Sequence, residues 1–174
     1  MWLAPGMDIT DAILSRRTHK SFGPEPVDRA VVEELFDLAR WAPNHRMTEP
    51  WRFRVLGPET FGRLVAPKPE EAEKLGRAPT LVVASVTQTG DDYQDREDLL
   101  ATGCAVYIVL LAAHARGLAS FWRTPALFET AEAQAVLGFE DRERFVGLIN
   151  LGIPVDSPVA KQRKPVGEFA SFLP

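Results

Sequence analysis

Apolar and polar positions change period several times along the chain, and each change marks an element. Ile9, Ala12, Ile13 and Leu14 form a stripe in "ITDAILSRR", with Asp8 placed to cap a first helix. The next segment, "THKSFGPEPV", is broken by Gly23, Pro24 and Pro26 and reads as a loop. Val31, Leu35, Leu38 and Ala39 recur at helical spacing in "RAVVEELFDLARWA". Asp28 stands at the N-cap of that helix and Pro43 lies beyond its end. "WRFRVLG" alternates as a strand does, and "PETFGRLV" and "PEEAEKLG" read as short helices. "TLVVASV" is continuously apolar, the pattern of a strand in the middle of a sheet. "LASFWR" and "ERFVGLINLGIP" read as two further strands, with "ALFETAEAQAVLG" as a helix between them.

The longest apolar run, Leu99 to Ala115, reads "LLATGCAVYIVLLAAHA" and predicts a helix buried on nearly all sides. A membrane-spanning helix needs about 20 apolar residues. This run is shorter, holds Thr102, Gly103 and His114, and follows the charged "DDYQDRED". A core helix is therefore expected, with its small residues Ala101, Gly103, Cys104 and Ala105 open to close approach by another helix or subunit. Residues 155–174 are polar and irregular, and this tail is expected to pack on the body or on a partner. Two helices, then strands alternating with helices, then a tail imply an α+β or α/β sandwich in a single domain over residues 1–174, with residues 1–6 a ragged extension.

Composition narrows the function. A net charge of −4 argues against a chain built to grip nucleic acid. Cys104, the single cysteine, excludes an internal disulfide. It fits a reducing cytoplasm, as does an N-terminus without a basic stretch before an apolar core. The nucleotide signatures G-x-G-x-x-G and G-x-x-x-x-G-K-[ST] do not occur, nor does a G-x-S-x-G elbow. His19, His45 and His114 share no metal-ligand spacing. Cys104, set in an apolar helix, is a poor nucleophile.

What stands out instead is cationic. In "SRRTHKSF", Arg16, Thr18 and Lys20 alternate where the first helix gives way to extended chain, so their side chains share one face. Two readings stand side by side: cations at a helix C-terminus, or a guanidinium, hydroxyl and ammonium set for a phosphate. "KQRKP" repeats the alternation with Lys161 and Arg163. It is either a solvated basic tail or, folded against the first loop, the second half of the same anion site. "FWRTPA" falls where a strand ends and a helix begins, a place where backbone N–H groups stand free for a ligand. The plainer reading there is a packed Trp122 and an exposed Arg123. Anion-binding groups and aromatic walls without acid–base machinery point to a cofactor that carries the chemistry.

Taken together, "SRRTHKSF", "APNHRMTEPWRF", the Ala/Gly-rich long helix, and "LGIP" followed by "KQRKP" resemble the nitroreductase family of FMN-dependent oxidoreductases, most closely its minimal-size bacterial members. The resemblance covers nearly the whole chain. It implies an α+β fold with a central, mostly antiparallel sheet flanked by helices, in an intertwined homodimer with an FMN at each of two interfacial sites. By similarity Arg16, Arg17 and Thr18 hold the FMN. Arg16, Lys161 and Arg163 take its phosphate, and Lys20 lies near the N1–C2=O edge. Trp41 and His45 match positions that reach the FMN from the partner chain. Trp122, Arg123 and Thr124 match the loop that binds the ring, and Ala112 matches a position linked with the nicotinamide nucleotide.

The sequence departs from the family pattern at Met47, where many members carry Asn, and at Glu49, where Gln is usual. The implied activity is hydride transfer from NADH or NADPH through FMN to a small electron-poor acceptor, a nitroaromatic or quinone, without nucleic acid or membrane. Another flavin reaction, dehydrogenation or dehalogenation, and a non-catalytic flavin-binding role are the alternatives.

Overall fold

The computed structural model describes residues 7–174, so the ragged extension expected over residues 1–6 lies outside the described residues. Four strands, β1 (Trp51–Val55), β2 (Thr80–Thr87), β3 (Ala119–Arg123) and β4 (Glu143–Gly152), form one antiparallel sheet in the order β1-β2-β4-β3. β2 is internal, as its unbroken apolar run requires. Val82 and Ala84 face one layer while Leu81 and Val83 face the other, so both faces of the strand are covered.

The first layer is α2 (Arg29–Ala39) and α5 (Asp92–Ala115). Leu35 and Ala39 meet Ala105, Val106, Val109 and Ala113 over Val82, Ile149 and Leu151, all buried. Phe36 stacks on Phe53 of β1 with ring centroids 4.8 Å apart. The second layer is built from α3 (Pro58–Val65), α4 (Ala72–Leu75) and α6 (Ala131–Leu137). Leu64, Leu75, Phe128 and Leu137 close over Leu81, Val83, Phe145 and Leu148. α1 (Ile9–Ser15) lies against α5, where Ser15 Oγ is 2.7 Å from His114 Nε2.

Several expectations are corrected in detail. Asp8 does cap α1, accepting from Thr10 N at 2.8 Å, but Asp28 makes no side-chain cap bond to α2. The segment read as one helix over 126–138 is a 3₁₀ turn followed by α6. Thr130 Oγ1 accepts from Ala133 N and starts the second piece anew. α5 begins at Asp92, capped by Asp91, two turns before the apolar run. Those turns are polar, so hydropathy alone does not mark them.

Nor is α5 buried on nearly all sides. Half of its most apolar stretch is buried, because sheet and helices cover one side only, and Leu100 and Tyr107 remain exposed. α5 is the one helix among the described residues long and apolar enough to cross a membrane, and here it forms the core of a layered α+β fold. Cys104, expected in an apolar setting, lies on its exposed side.

Candidate functional site

The N-terminal loop is an added strip beside the sheet. Thr18 pairs in parallel with Ser120 of β3, His19 N donates to Ser120 O at 3.1 Å, and Phe22 pairs with Pro154 just after β4. Gly23 N donates to Ile153 O at 2.9 Å. These bonds fix the loop as extended chain from Thr18 on, so Thr18 and Lys20 line one cavity while the intervening His19 is buried; Arg16 and Arg17, at the end of α1, line the same cavity.

Two features set the other wall. The tail leaves β4 and is tied to the loop by His19 Nδ1, which donates to Asp156 Oδ1 at 2.7 Å. From that anchor it runs past Ser157 and Val159 to Lys161 and Arg163. The cavity, about 650 Å³, is lined by Arg16, Arg17, Thr18 and Lys20 from one end of the chain and Lys161 and Arg163 from the other. Its volume falls within the range of about 300–1,000 Å³ usual for small-molecule sites. The two basic clusters separated by some 140 positions of sequence thus meet.

The electrostatics of this cavity are one-sided. Arg17 is held by its own backbone, Nη1 donating to Leu14 O at 2.6 Å and to Arg16 O at 2.9 Å. Arg16 Nε is shielded from solvent and has no hydrogen-bond partner among the described residues. A buried unpaired donor of that kind is costly unless a ligand satisfies it. Behind the cavity, burial holds His114 below its usual pKa, and the charges of Arg16, His19 and Arg17 push it the same way. Asp156 is the one carboxylate on the lining, and His19 engages it.

Lys20 also lines a second cavity of about 350 Å³, with Lys74, Arg77, Phe121, Arg123, Thr124 and Pro125. Strand register explains which part of "FWRT" arrives there. Phe121 and Arg123 pair with Asn150 and Leu148 and face the α3/α4/α6 layer. Trp122 pairs with Ile149 and faces the α5 layer, against Gly147. Trp122 is 37% exposed, so it is neither the fully packed residue of the plainer reading nor a lining residue of either cationic cavity.

Trp41 and His45 do not reach these cavities within one chain. Trp41 is 76% exposed beside an apolar groove that Leu38, Ile108, Leu111 and Ala112 share. His45 opens a 3₁₀ turn and lines a small depression with Asn44, Glu97, Leu100 and Cys104. That turn is strained: Arg46, Met47 and Glu49 all have positive φ, at 58°, 54° and 45°. It is held by Asn44 Oδ1, which accepts from Glu49 N at 3.0 Å, and by Thr48 Oγ1, which donates to Asp98 Oδ1 at 2.6 Å. The unusual Met47 and Glu49 therefore sit in a fixed backbone that turns both side chains outward, exposed to solvent.

Among the described residues no group of three or more His, Cys, Asp or Glu side chains is placed to hold a metal ion. Sequence reasoning missed three contributors. Asp156 carries no pattern that marks it as the partner of a histidine 137 positions away. Lys74 falls in the segment read as a short helix and Arg77 just beyond it, and nothing local says that α4 lies beside β3.

Comparison with known proteins gives the frame for this geometry. The model of the nitroreductase family matches residues 13–68 and 59–153. A Bacillus subtilis protein named "Putative NAD(P)H nitroreductase YfhC" is 30% identical over 91% of this chain and 90% of its own length. Among solved structures, a nitroreductase-like protein from Bacillus cereus superposes with a TM-score of 0.88 at 24% identity, covering 99% of both chains, which establishes the shared fold. A Desulfovibrio desulfuricans protein described as "a putative nitroreductase in complex with fmn" superposes with a TM-score of 0.79 at 25% identity over 95% of this chain and 96% of that one. With the fold shared over nearly the whole chain and the family match running from residue 13 to residue 153, this chain belongs to the nitroreductase family.

Proposed function

We propose that this chain is a cytoplasmic, homodimeric oxidoreductase that binds FMN, takes a hydride from NADH or NADPH, and reduces a small electron-poor acceptor such as a nitroaromatic or quinone. The observation that carries the reading is the convergence of Arg16, Lys161 and Arg163 on one cavity, with Arg16 Nε buried and without a partner among the described residues. The donor set fits the FMN phosphate: guanidinium groups pair with phosphate oxygens through paired N–H bonds, and Thr18 adds a hydroxyl. The FMN in the Desulfovibrio relative and the NAD(P)H in the Bacillus relative's name support the same assignment.

Bound FMN supplies the hydride-accepting and hydride-donating chemistry that the protein's own side chains lack. Arg16, Arg17, Thr18, Lys161 and Arg163 hold the phosphate and fix the orientation of the cofactor. Lys20, which lines both cavities, would set a positive charge beside the bound cofactor and stabilise the negative charge that reduction brings. Arg123 and Thr124 line the space beyond Lys20. Trp41 and His45, exposed and remote from the cavity of their own chain, serve the site of a second copy. The exposed Leu38 beside Trp41 and Leu100 beside His45 support that surface as the contact between copies.

The test is the visible spectrum of the purified protein, followed by oxidation of NADH and NADPH with menadione or nitrofurazone as acceptor. Flavin absorbance, its bleaching by a reduced nicotinamide and its recovery with acceptor are expected. A protein that stays colourless after addition of FMN overturns the reading. One that binds FMN but is reduced by neither nicotinamide is a binding protein and not this enzyme.

A further inference from the structure

We propose that Lys74, Arg77 and Arg123 form a subsite for the carboxylate of an aromatic acceptor, so that the enzyme prefers anionic over neutral acceptors. The inference rests on the flavoenzyme reading above and adds the acceptor's chemistry to it.

The second cavity holds four cations, Lys20, Lys74, Arg77 and Arg123, and no carboxylate lines it. Arg123 is built into place. Its Nη1 donates to Lys74 O at 3.0 Å, and its guanidinium lies 5.7 Å from the centroid of the Phe121 ring. Its Nη2 is shielded from solvent and has no hydrogen-bond partner among the described residues. Burial, and then the charge of Arg77, both press Arg123 below its usual pKa, a cost that a bound anion removes. Lys74 is balanced by Glu71, 3.5 Å away, while Arg77 makes no ion pair among the described residues. The excess charge in this pocket is therefore that of Lys20, Arg77 and Arg123.

Shape selects the kind of anion. Phe121 and Pro125 give the cavity an apolar wall beside its cations. Its volume of about 350 Å³ lies at the small end of ligand sites. A single aromatic ring carrying a carboxylate suits both features, and a dinucleotide overruns the space. Lys20 joins this cavity to the phosphate-binding one, so an acceptor held here adjoins the cofactor.

The experiment compares 4-nitrobenzoate with 4-nitrotoluene as acceptors for the FMN-loaded wild type and for Arg77→Gln and Lys74→Gln. Calorimetric titration of the same proteins with benzoate gives a readout independent of turnover. The loss of one charged hydrogen bond predicts that Arg77→Gln lowers kcat/KM for 4-nitrobenzoate by about tenfold, through KM, and weakens benzoate binding to a similar degree. Values for 4-nitrotoluene, and the FMN affinity, stay within about twofold.

Equal loss on both acceptors, or none on either, overturns the subsite. A loss of FMN affinity with an unchanged acceptor ratio assigns the cations to the cofactor and also overturns it. A change confined to the KM of NADPH or NADH assigns the anion to the nicotinamide nucleotide. In each of these outcomes flavin reduction by NAD(P)H still stands, so they are distinct from failure of the flavoenzyme reading.

Discussion

Gly147→Ala asks whether the sheet sets the position of Trp122. Gly147 lies in β4 opposite Ala84, where the β2–β4 register shifts, and two residues before Ile149, the partner of Trp122. The Cδ1–Nε1 side of the indole lies against its backbone. A Cβ at Gly147 would fall 2.5 Å from indole Cδ1 and nearer still to Nε1, where ordinary contact begins at 3.4 Å. The ring must therefore retreat by roughly an ångström, and overpacking of this kind costs about 1–3 kcal/mol. Two effects reduce the cost. Alanine restricts the unfolded chain, worth about 0.4–1 kcal/mol, and Trp122 is 37% exposed, so it has solvent to move into. A net loss of about 1 kcal/mol is expected in urea unfolding of the apo-protein. In a Trp122→Ala background the same glycine substitution becomes neutral or stabilising. If the ring wall belongs to the flavin site, Gly147→Ala also weakens FMN and riboflavin alike, by about tenfold. A coupling energy between the two positions within about 0.3 kcal/mol of zero would refute the packing argument.

Three further predictions follow from particular contacts. Arg54 pairs with the buried Glu143, Nη2 donating to Oε2 at 2.8 Å, and Ser85 Oγ also donates to that carboxylate. Arg54→Ala strands the charge and is expected to cost about 3–5 kcal/mol at neutral pH. Burial alone would raise the pKa of Glu143, but the bonds from Arg54, Ser85 and the Glu140 backbone bring it below the usual value. Its contribution is therefore complete above about pH 4.3 and fades as pH falls through the lower folded value, so denaturation curves of wild type and variant converge in acid. Asp156→Ala releases the start of the tail from His19, and fluorescence titration should show FMN affinity reduced by roughly tenfold with the fold unchanged by circular dichroism. His114, held below its usual pKa by burial and by Arg16, His19 and Arg17, adds stability above about pH 6.5 that is lost as pH falls through its folded value. Phosphate in the adjoining cavity screens those charges, so NMR titration should show the His114 pKa rising when phosphate is added.

Periodicity was enough to read the fold because most elements here bury one consistent stripe or face. The unbroken "TLVVASV" is internal, as a strand covered on both sides must be. Errors fell where pattern is silent. The polar first turns of α5 and the cap at Thr130 rest on local hydrogen bonds, which hydropathy does not register. In the cationic cavity, alternation in "SRRTHKSF" accounts for Thr18 and Lys20 facing the wall with His19 turned inward, but not for Arg17, which lines the wall from the end of α1. The bond that brings Lys161 and Arg163 there, from His19 to Asp156, depends on where two distant segments meet and has no local signature. The same holds for Lys74 and Arg77, which reach Arg123 only because α4 packs beside β3.

The central claim is that cations from opposite ends of the chain clamp one phosphate, and a paired titration tests it most directly. Affinities for FMN and for riboflavin, which lacks the phosphate, are measured by flavin fluorescence on wild type, Arg16→Ala, Arg163→Ala and the double variant. The account predicts that each single change weakens FMN by about 1.5–3 kcal/mol while riboflavin is nearly unaffected, and that the double variant binds both flavins about equally. Unchanged FMN affinity in Arg16→Ala or Arg163→Ala, or equal losses for FMN and riboflavin, would contradict it.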